Sequence, residues 1–217
     1  MTWEPGGASG HREPVEGDLR SLTDAALWAR TGEEPTAFAE LFQRHADAVY
    51  NHCFRKTASW SAAEDLRSVV FLEAWRRRTD VRLHEDSILP WLLAVANNVV
   101  RTRARSLRRH RAMLQRLPVS MVSADDPEAE AIERLHDEAQ MRRVQAAIAG
   151  LTRAEQDVLA LCVWAELDYA AAAVALGVPV GTVKSRLSRA RQHLREAVVE
   201  DGPSGQAPHT SAGSSDA

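Results

Sequence analysis

The side chains best equipped for chemistry in this sequence are cations. Of its 27 basic residues, all but Lys56 and Lys184 are arginine. Two groups stand out by spacing. Guanidinium groups recur at Arg101, Arg103, Arg105, Arg108, Arg109 and Arg111. Six of them in one short helical stretch make a phosphate track, whose binding should fall steeply with salt. Further on, Lys184, Arg186, Arg189 and Arg191 flank Ser185, Ser188 and Gln192. Small hydroxyls permit close approach to a DNA groove, while cations reach phosphates or guanine edges. No Gly-rich phosphate loop, Ser/His/Asp set or metal-spaced carboxylates accompany these groups, so the pattern points to binding rather than turnover. No cofactor is expected. His45, His52 and Cys53 lack a fourth ligand, and the adjacent His52 and Cys53 point to different faces, so no metal is expected either. Two cysteines, Cys53 and Cys162, cannot make a disulfide framework.

The elements that must position these cations read almost entirely as helix. Apolar residues recur at spacings of three and four over residues 22–29, 37–54, 62–78 and 88–113. Further helical segments follow at 138–149, 153–165, 169–176 and 181–199. Thr152 and Glu155 have the spacing of a capping box, and Asp168 can cap the next helix. Gly177 closes that helix, and Val178-Pro179-Val180 makes a stiff turn before another begins. Residues 169–194 therefore have the form of a helix-turn-helix. On a helical wheel of the second helix, Val183, Leu187, Ala190 and Leu194 share one narrow face and must be its buried side. The hydroxyls and cations lie opposite. A solvated face of a helical bundle carries charge in the same way, but the turn chemistry and the one-sided cations favour DNA.

Charge is segregated along the chain. The 217 residues carry a formal net charge of −3. Residues 36–116 carry 15 basic against 8 acidic groups and residues 141–199 carry 8 against 5, whereas residues 117–140 carry 1 against 7. Two basic blocks are thus separated by an acidic stretch and bounded by acidic ends. Residues 117–138 contain Pro118 and Pro127 and lose the dense periodicity. They read as a linker, with a helical end from Ala129 an open alternative. Residues 1–17 and 200–217 read as disordered tails. The expected fold is all-α: two small helical domains, 18–116 and 139–199, joined by a flexible acidic linker, the second containing the helix-turn-helix. No run is long and apolar enough to span a membrane, and the N-terminus lacks a secretory pattern, so a cytoplasmic protein is expected.

The string VALGVPVGTVKSRLSRARQHLRE, residues 174–196, resembles the promoter-reading helix-turn-helix of extracytoplasmic-function (ECF) sigma factors of the bacterial sigma-70 family. LuxR-type response regulators share its Gly-Thr-Val-Lys core. A second resemblance decides between them: AEDLRSVVFLEAWRR, residues 63–77, is similar to the sigma family's core-polymerase-binding helix. The string LPWLLAVANNVVRTRARSLRRHR, residues 89–111, resembles the helix that meets the non-template strand of the −10 element, and residues 26–55 resemble the family's opening helices. The loop at 81–87 corresponds by position to the pocket for a base flipped from the opened strand, where His84, Glu85 and Asp86 offer polar groups. Ser68-Val69 stands where a polar Gln-acid pair is common, Asn97 where Arg is usual, and Arg101-Thr102 where Asp is common.

The resemblance implies a promoter-specificity subunit that directs transcription initiation. Core polymerase would be bound through Asp65, Leu66, Val69, Phe71, Leu72 and Trp75. The melted −10 strand would be held by Asn97, Asn98 and Arg101, with Arg103, Arg105, Arg108 and Arg109 supplying charge. The −35 duplex would be read by Lys184, Ser185, Ser188 and Arg189, with Thr182, Arg186 and Arg191 nearer the phosphates. It also implies control by an anti-sigma factor, which no residue identifies. A stand-alone DNA-binding regulator would account for residues 174–195 but not for 63–77 or 101–111. A nucleic-acid hydrolase lacks a catalytic set.

Overall fold

The structure, a computed structural model, describes residues 19–114 and 129–200. The expected tails and the linker segment 117–128 lie outside the described residues.

The first module is built from four helices: α1 (Asp24–Arg30), α2 (Pro35–Thr57), α3 (Trp60–Arg76) and α4 (Leu89–Leu114). Each boundary has a local cause. The Thr23 hydroxyl accepts from Ala26 N–H to start α1. Pro35 occupies the first turn of α2, where its missing N–H costs nothing. Ala58 ends α2 in the left-handed region (φ 50°), and the Ser59 hydroxyl caps α3 one residue later. Leu27, Leu41, Val49, Leu66, Val70, Leu92 and Leu93 are buried and form the core between these helices. An aromatic cluster closes one end: Phe38 meets Phe71 and Trp75 edge-on, and Trp28 meets Trp91. Trp60 stacks on Phe54 with ring centroids 3.6 Å apart, pinning the α2–α3 turn.

The second module follows as α5 (Ala129–Ala147), α6 (Arg153–Leu159), α7 (Tyr169–Leu176) and α8 (Val180–Glu200). The segment expected as linker is therefore helical from Ala129. Its many acids mask a helix whose own apolar residues, such as Leu135 and Val144, remain exposed. The capping box forms in both directions at Thr152 and Glu155. Past Leu159 the helix widens into a π-turn, Ala160–Trp164. Val183, Leu187 and Ala190 of α8 are buried and Leu194 half-buried, as the wheel requires. Among the described residues no strand occurs. His84 and Ser87 form an isolated antiparallel bridge.

The two modules share one continuous hydrophobic core. Val158, Leu161, Ala172, Val183 and Leu187 of the second module belong to the cluster that contains Leu41, Val70 and Leu92 of the first. The small face of α7 lies across α4. Polar contacts reinforce the junction: Trp60 N–H donates to Glu138 at 2.8 Å, Gln145 donates to the Arg55 carbonyl at 3.0 Å, and Arg55 donates to the Trp164 carbonyl.

Candidate nucleic-acid interface

The helix α3 divides its apolar residues between two jobs. Leu66 and Phe71 are buried, Phe71 packing on Phe42 with centroids 4.6 Å apart. Trp75 is half-buried against Phe38 and carries the Arg78 guanidinium 5.0 Å above its ring. Val69 and Leu72, by contrast, are 46% and 49% exposed. Two large aliphatic side chains this open on one helix face form a contact surface that no other described residue covers. Asp65, also exposed, is bridged at 3.3 Å to Arg103 of α4. Of the six residues expected to meet polymerase, Asp65, Val69, Leu72 and part of Trp75 thus face outward, while Leu66 and Phe71 hold the helix in place.

A groove between α3 and α4 joins that face to the first cation group. It is lined by Val69, Glu73, Asn98, Thr102, Arg103 and Arg105 among others. Asn98 is exposed there, whereas Asn97 is buried and its side-chain oxygen is 3.1 Å from His52 Nε2. Successive helical residues are rotated by about 100°, so adjacent asparagines cannot share a face. Asn97 follows the buried Leu93 by four positions, a spacing that would have placed it inward. Burial, with the charge of Lys56 next in weight, pushes the His52 imidazole down to about 4, so it is neutral and donates to Asn97. Among the described residues the Asn97 amide nitrogen has no hydrogen-bond partner. Arg105, Arg108 and Arg109 are exposed along the outer half of α4. Arg101 is partly covered and donates to Asp157 of α6.

The loop at 81–88 is held from below by a carboxylate that the sequence did not single out. Asp24 is buried and accepts from His45 Nε2 at 2.6 Å, Arg44 Nη1 at 3.2 Å and Ile88 N–H at 3.1 Å. Burial acts to raise the Asp24 carboxyl. The bonds from His45 and Ile88, the His45 charge and the Arg44 bond outweigh it and hold the group below its usual range. Glu85 (φ 47°) and Asp86 (φ 62°) form the tight turn between His84 and Ser87, both in the left-handed region that non-glycine residues adopt at a cost. Three ligand-type atoms of His84, Glu85 and Asp168 lie within 4.8 Å of one another, but Asp168 already caps α7 through Oδ1. His45 and His52 are engaged with Asp24 and Asn97, and Cys53 is buried, its thiol pushed up to about 12.

The second cation group faces solvent on α8. Lys184, Ser185, Ser188 and Arg189 are exposed, with Thr182 and Arg186 half-covered at their flanks. The Lys184 ammonium sits 5.7 Å from the Tyr169 ring centroid, and Arg189 Nε donates to the Ser185 carbonyl at 3.3 Å. The Asp168 carboxylate accepts from Ala170 and Ala171 N–H at 2.7 Å each, which fixes α7. Gly177 (φ 65°) then turns the chain, and Val178 N–H returns to the Ala173 carbonyl at 3.1 Å. This corner sets the α7–α8 angle and so aims the cationic face. Lys56 is the one lysine outside this face, and it donates to Asp157 at 2.7 Å.

Comparison with known proteins bears on both cation groups. The sigma-70 region 2 model matches residues 41–110, and the sigma-70 region 4 model matches residues 141–194. The ECF RNA polymerase sigma factor SigE of Mycolicibacterium smegmatis is 31% identical over 205 residues, covering 86% of this chain and 77% of that protein. RpoE of Cereibacter sphaeroides, also an ECF RNA polymerase sigma factor, is 28% identical over 169 residues, 76% of this chain and 90% of that one. Among solved structures, CnrH in complex with the cytosolic domain of CnrY has a TM-score of 0.58 at 22% identity, over 82% of this chain and 98% of the other. The sigma factor RpoE in complex with the anti-sigma factor NepR from Bartonella quintana has a TM-score of 0.53 at 21% identity, over 76% and 98%.

Proposed function

The chain belongs to the ECF sigma factors of the bacterial sigma-70 family, and from that premise we propose which of its residues do which part of the work. As a member it binds core RNA polymerase, recognises promoter DNA and directs transcription initiation. The −10 module spans residues 18–116 and the −35 module residues 139–199, with 117–138 between them, helical from Ala129. Val69 and Leu72, with Asp65 and the exposed part of Trp75, meet core polymerase. Leu66 and Phe71 shape that helix from inside. Asn98, Arg101, Arg103, Arg105, Arg108 and Arg109 hold the unpaired −10 strand, and Asn97 supports them through its bond to His52. Thr182, Lys184, Ser185, Arg186, Ser188 and Arg189 contact the −35 duplex.

The protein acts stoichiometrically, without turnover, where polymerase works, in the cytoplasm. Among the described residues no helix is long and apolar enough to cross a membrane. An anti-sigma polypeptide regulates it by covering these same faces.

The observation that carries this reading is the pairing, on one molecule, of an open aliphatic face at Val69 and Leu72 with a separate hydroxyl-and-cation face on α8. Opening a base-pair step costs on average about 1.4 kcal/mol of stacking, so a bubble needs polymerase as well as captured strand. The isolated chain should not melt DNA. The test uses two variants in a pull-down with core enzyme and in promoter-directed transcription. Replacing Lys184 and Arg189 together by Ala should abolish promoter-specific initiation while core binding stays within about twofold, whereas Leu72→Glu should lose core binding. Loss of core binding in the α8 double variant would contradict the division of labour.

A further inference from the structure

Lys56 ends α2 and Arg101 lies midway along α4, yet both point at one carboxylate of the other module. Asp157 Oδ1 takes the Lys56 ammonium at 2.7 Å, and Asp157 Oδ2 takes the Arg101 guanidinium. The two cations thus grip opposite oxygens of a single buried anion, their side chains only 16% and 34% exposed. We propose that Lys56 and Arg101 form a two-pronged phosphodiester site for the unpaired −10 strand, and that Asp157 occupies it while the two modules are packed together.

The chemistry follows from what remains when Asp157 leaves. Two positive groups left side by side when Asp157 departs repel each other. An anion with two oxygens in one plane relieves that repulsion. The two non-bridging oxygens of a phosphodiester offer the same pair of acceptors, and guanidinium–phosphate bonds are among the stronger charge-assisted ones. Position agrees with this. Arg101 is the first of the α4 guanidinium run, so Lys56 extends that run across to the end of α2. His52, one turn before Lys56, adds no charge because burial keeps it neutral. The same carboxylate that masks this site also ties α6 to α2 and α4, so strand capture and packing of the modules compete for the same two cations. The −35 face needs no such release, because Lys184, Ser188 and Arg189 stay exposed in the packed form.

The inference rests on the assignment of α4 to the −10 strand, and the experiment separates the two. Core enzyme is loaded with the full chain. Its affinity is measured by anisotropy across salt concentrations for a fluorescein-labelled fork DNA, whose unpaired segment is the −10 strand of a fragment this holoenzyme transcribes. One phosphate contact on single-stranded DNA contributes about 0.7 to the slope of log K against log salt. Lys56→Gln should therefore flatten the slope by about 0.7, and Lys56→Arg should restore it. In the free chain, Asp157→Asn should raise fork affinity severalfold. Thermal melts by circular dichroism establish that each variant is folded. Equal slopes for the wild-type and Lys56→Gln holoenzymes would overturn the site, and unchanged free-chain affinity in folded Asp157→Asn would overturn its occupation by Asp157. A wild-type holoenzyme that ignores the fork would instead overturn the −10 assignment itself.

Discussion

His52 shows how a single side chain can carry a measurable share of this fold's response to acid. Unfolded, its imidazole takes a proton near 6.5; folded, only near 4. Between those values the unfolded chain binds more protons, so acid favours unfolding. Above about pH 6.5 both states are neutral and the contribution is complete; it is lost as pH falls toward 4, by up to about 3 kcal/mol. His52→Gln keeps a hydrogen-bonding group opposite Asn97 without the titration. Its urea midpoint should therefore fall less between pH 7 and pH 4.5 than that of the wild type. Equal falls would mean that other groups set the acid response. The type of a residue was easier to read from sequence than its direction. Both asparagines stood out, and the spacing from Leu93 turns Asn97 toward the core, but its partner there, His52, is 45 positions away and was not legible. Asp24 drew no attention for the same reason: its partners, Arg44, His45 and Ile88, come together only through folding.

Elements were more legible, because a period near 3.6 belongs to the local chain and needs no distant partner. The capping box at Thr152, the cap at Asp168 and the left-handed Gly177 all sit where the sequence placed them. Acidic composition left the helical start at Ala129 as an open alternative to linker, and one feature escaped: a π-turn leaves the apolar spacing around Leu159 and Leu161 almost unchanged. Gly177 gives the cleanest test at this scale. Space for a Cβ is open there, so only the backbone conformation (φ +65°) resists substitution. Gly177→Ala should lower stability by about 1 kcal/mol in urea denaturation. A similar loss at Gly181, whose surroundings are equally open and whose φ is not positive, would contradict that reasoning.

At the scale of the whole molecule, the sequence separates two cationic helical bodies but holds no sign of how they meet. Lys56 and Asp157 are 101 positions apart, and the small residues Ala171, Ala172 and Ala173 of α7 would suit many neighbours. Packing them against α4 and α8 gives a molecule whose proposed −10 face is partly covered and whose proposed −35 face is open. On the proposed roles, polymerase would do two things: grip Val69 and Leu72, and draw the modules apart to the spacing of a promoter. The most direct measurement of this account is multi-fragment transcription in vitro, with core enzyme alone and with core enzyme plus the pure full-length chain. The account predicts new transcripts that start at discrete sites sharing spaced −35 and −10 sequences, and that disappear with the Lys184/Arg189 double alanine variant. An identical transcript pattern with and without the chain would contradict it.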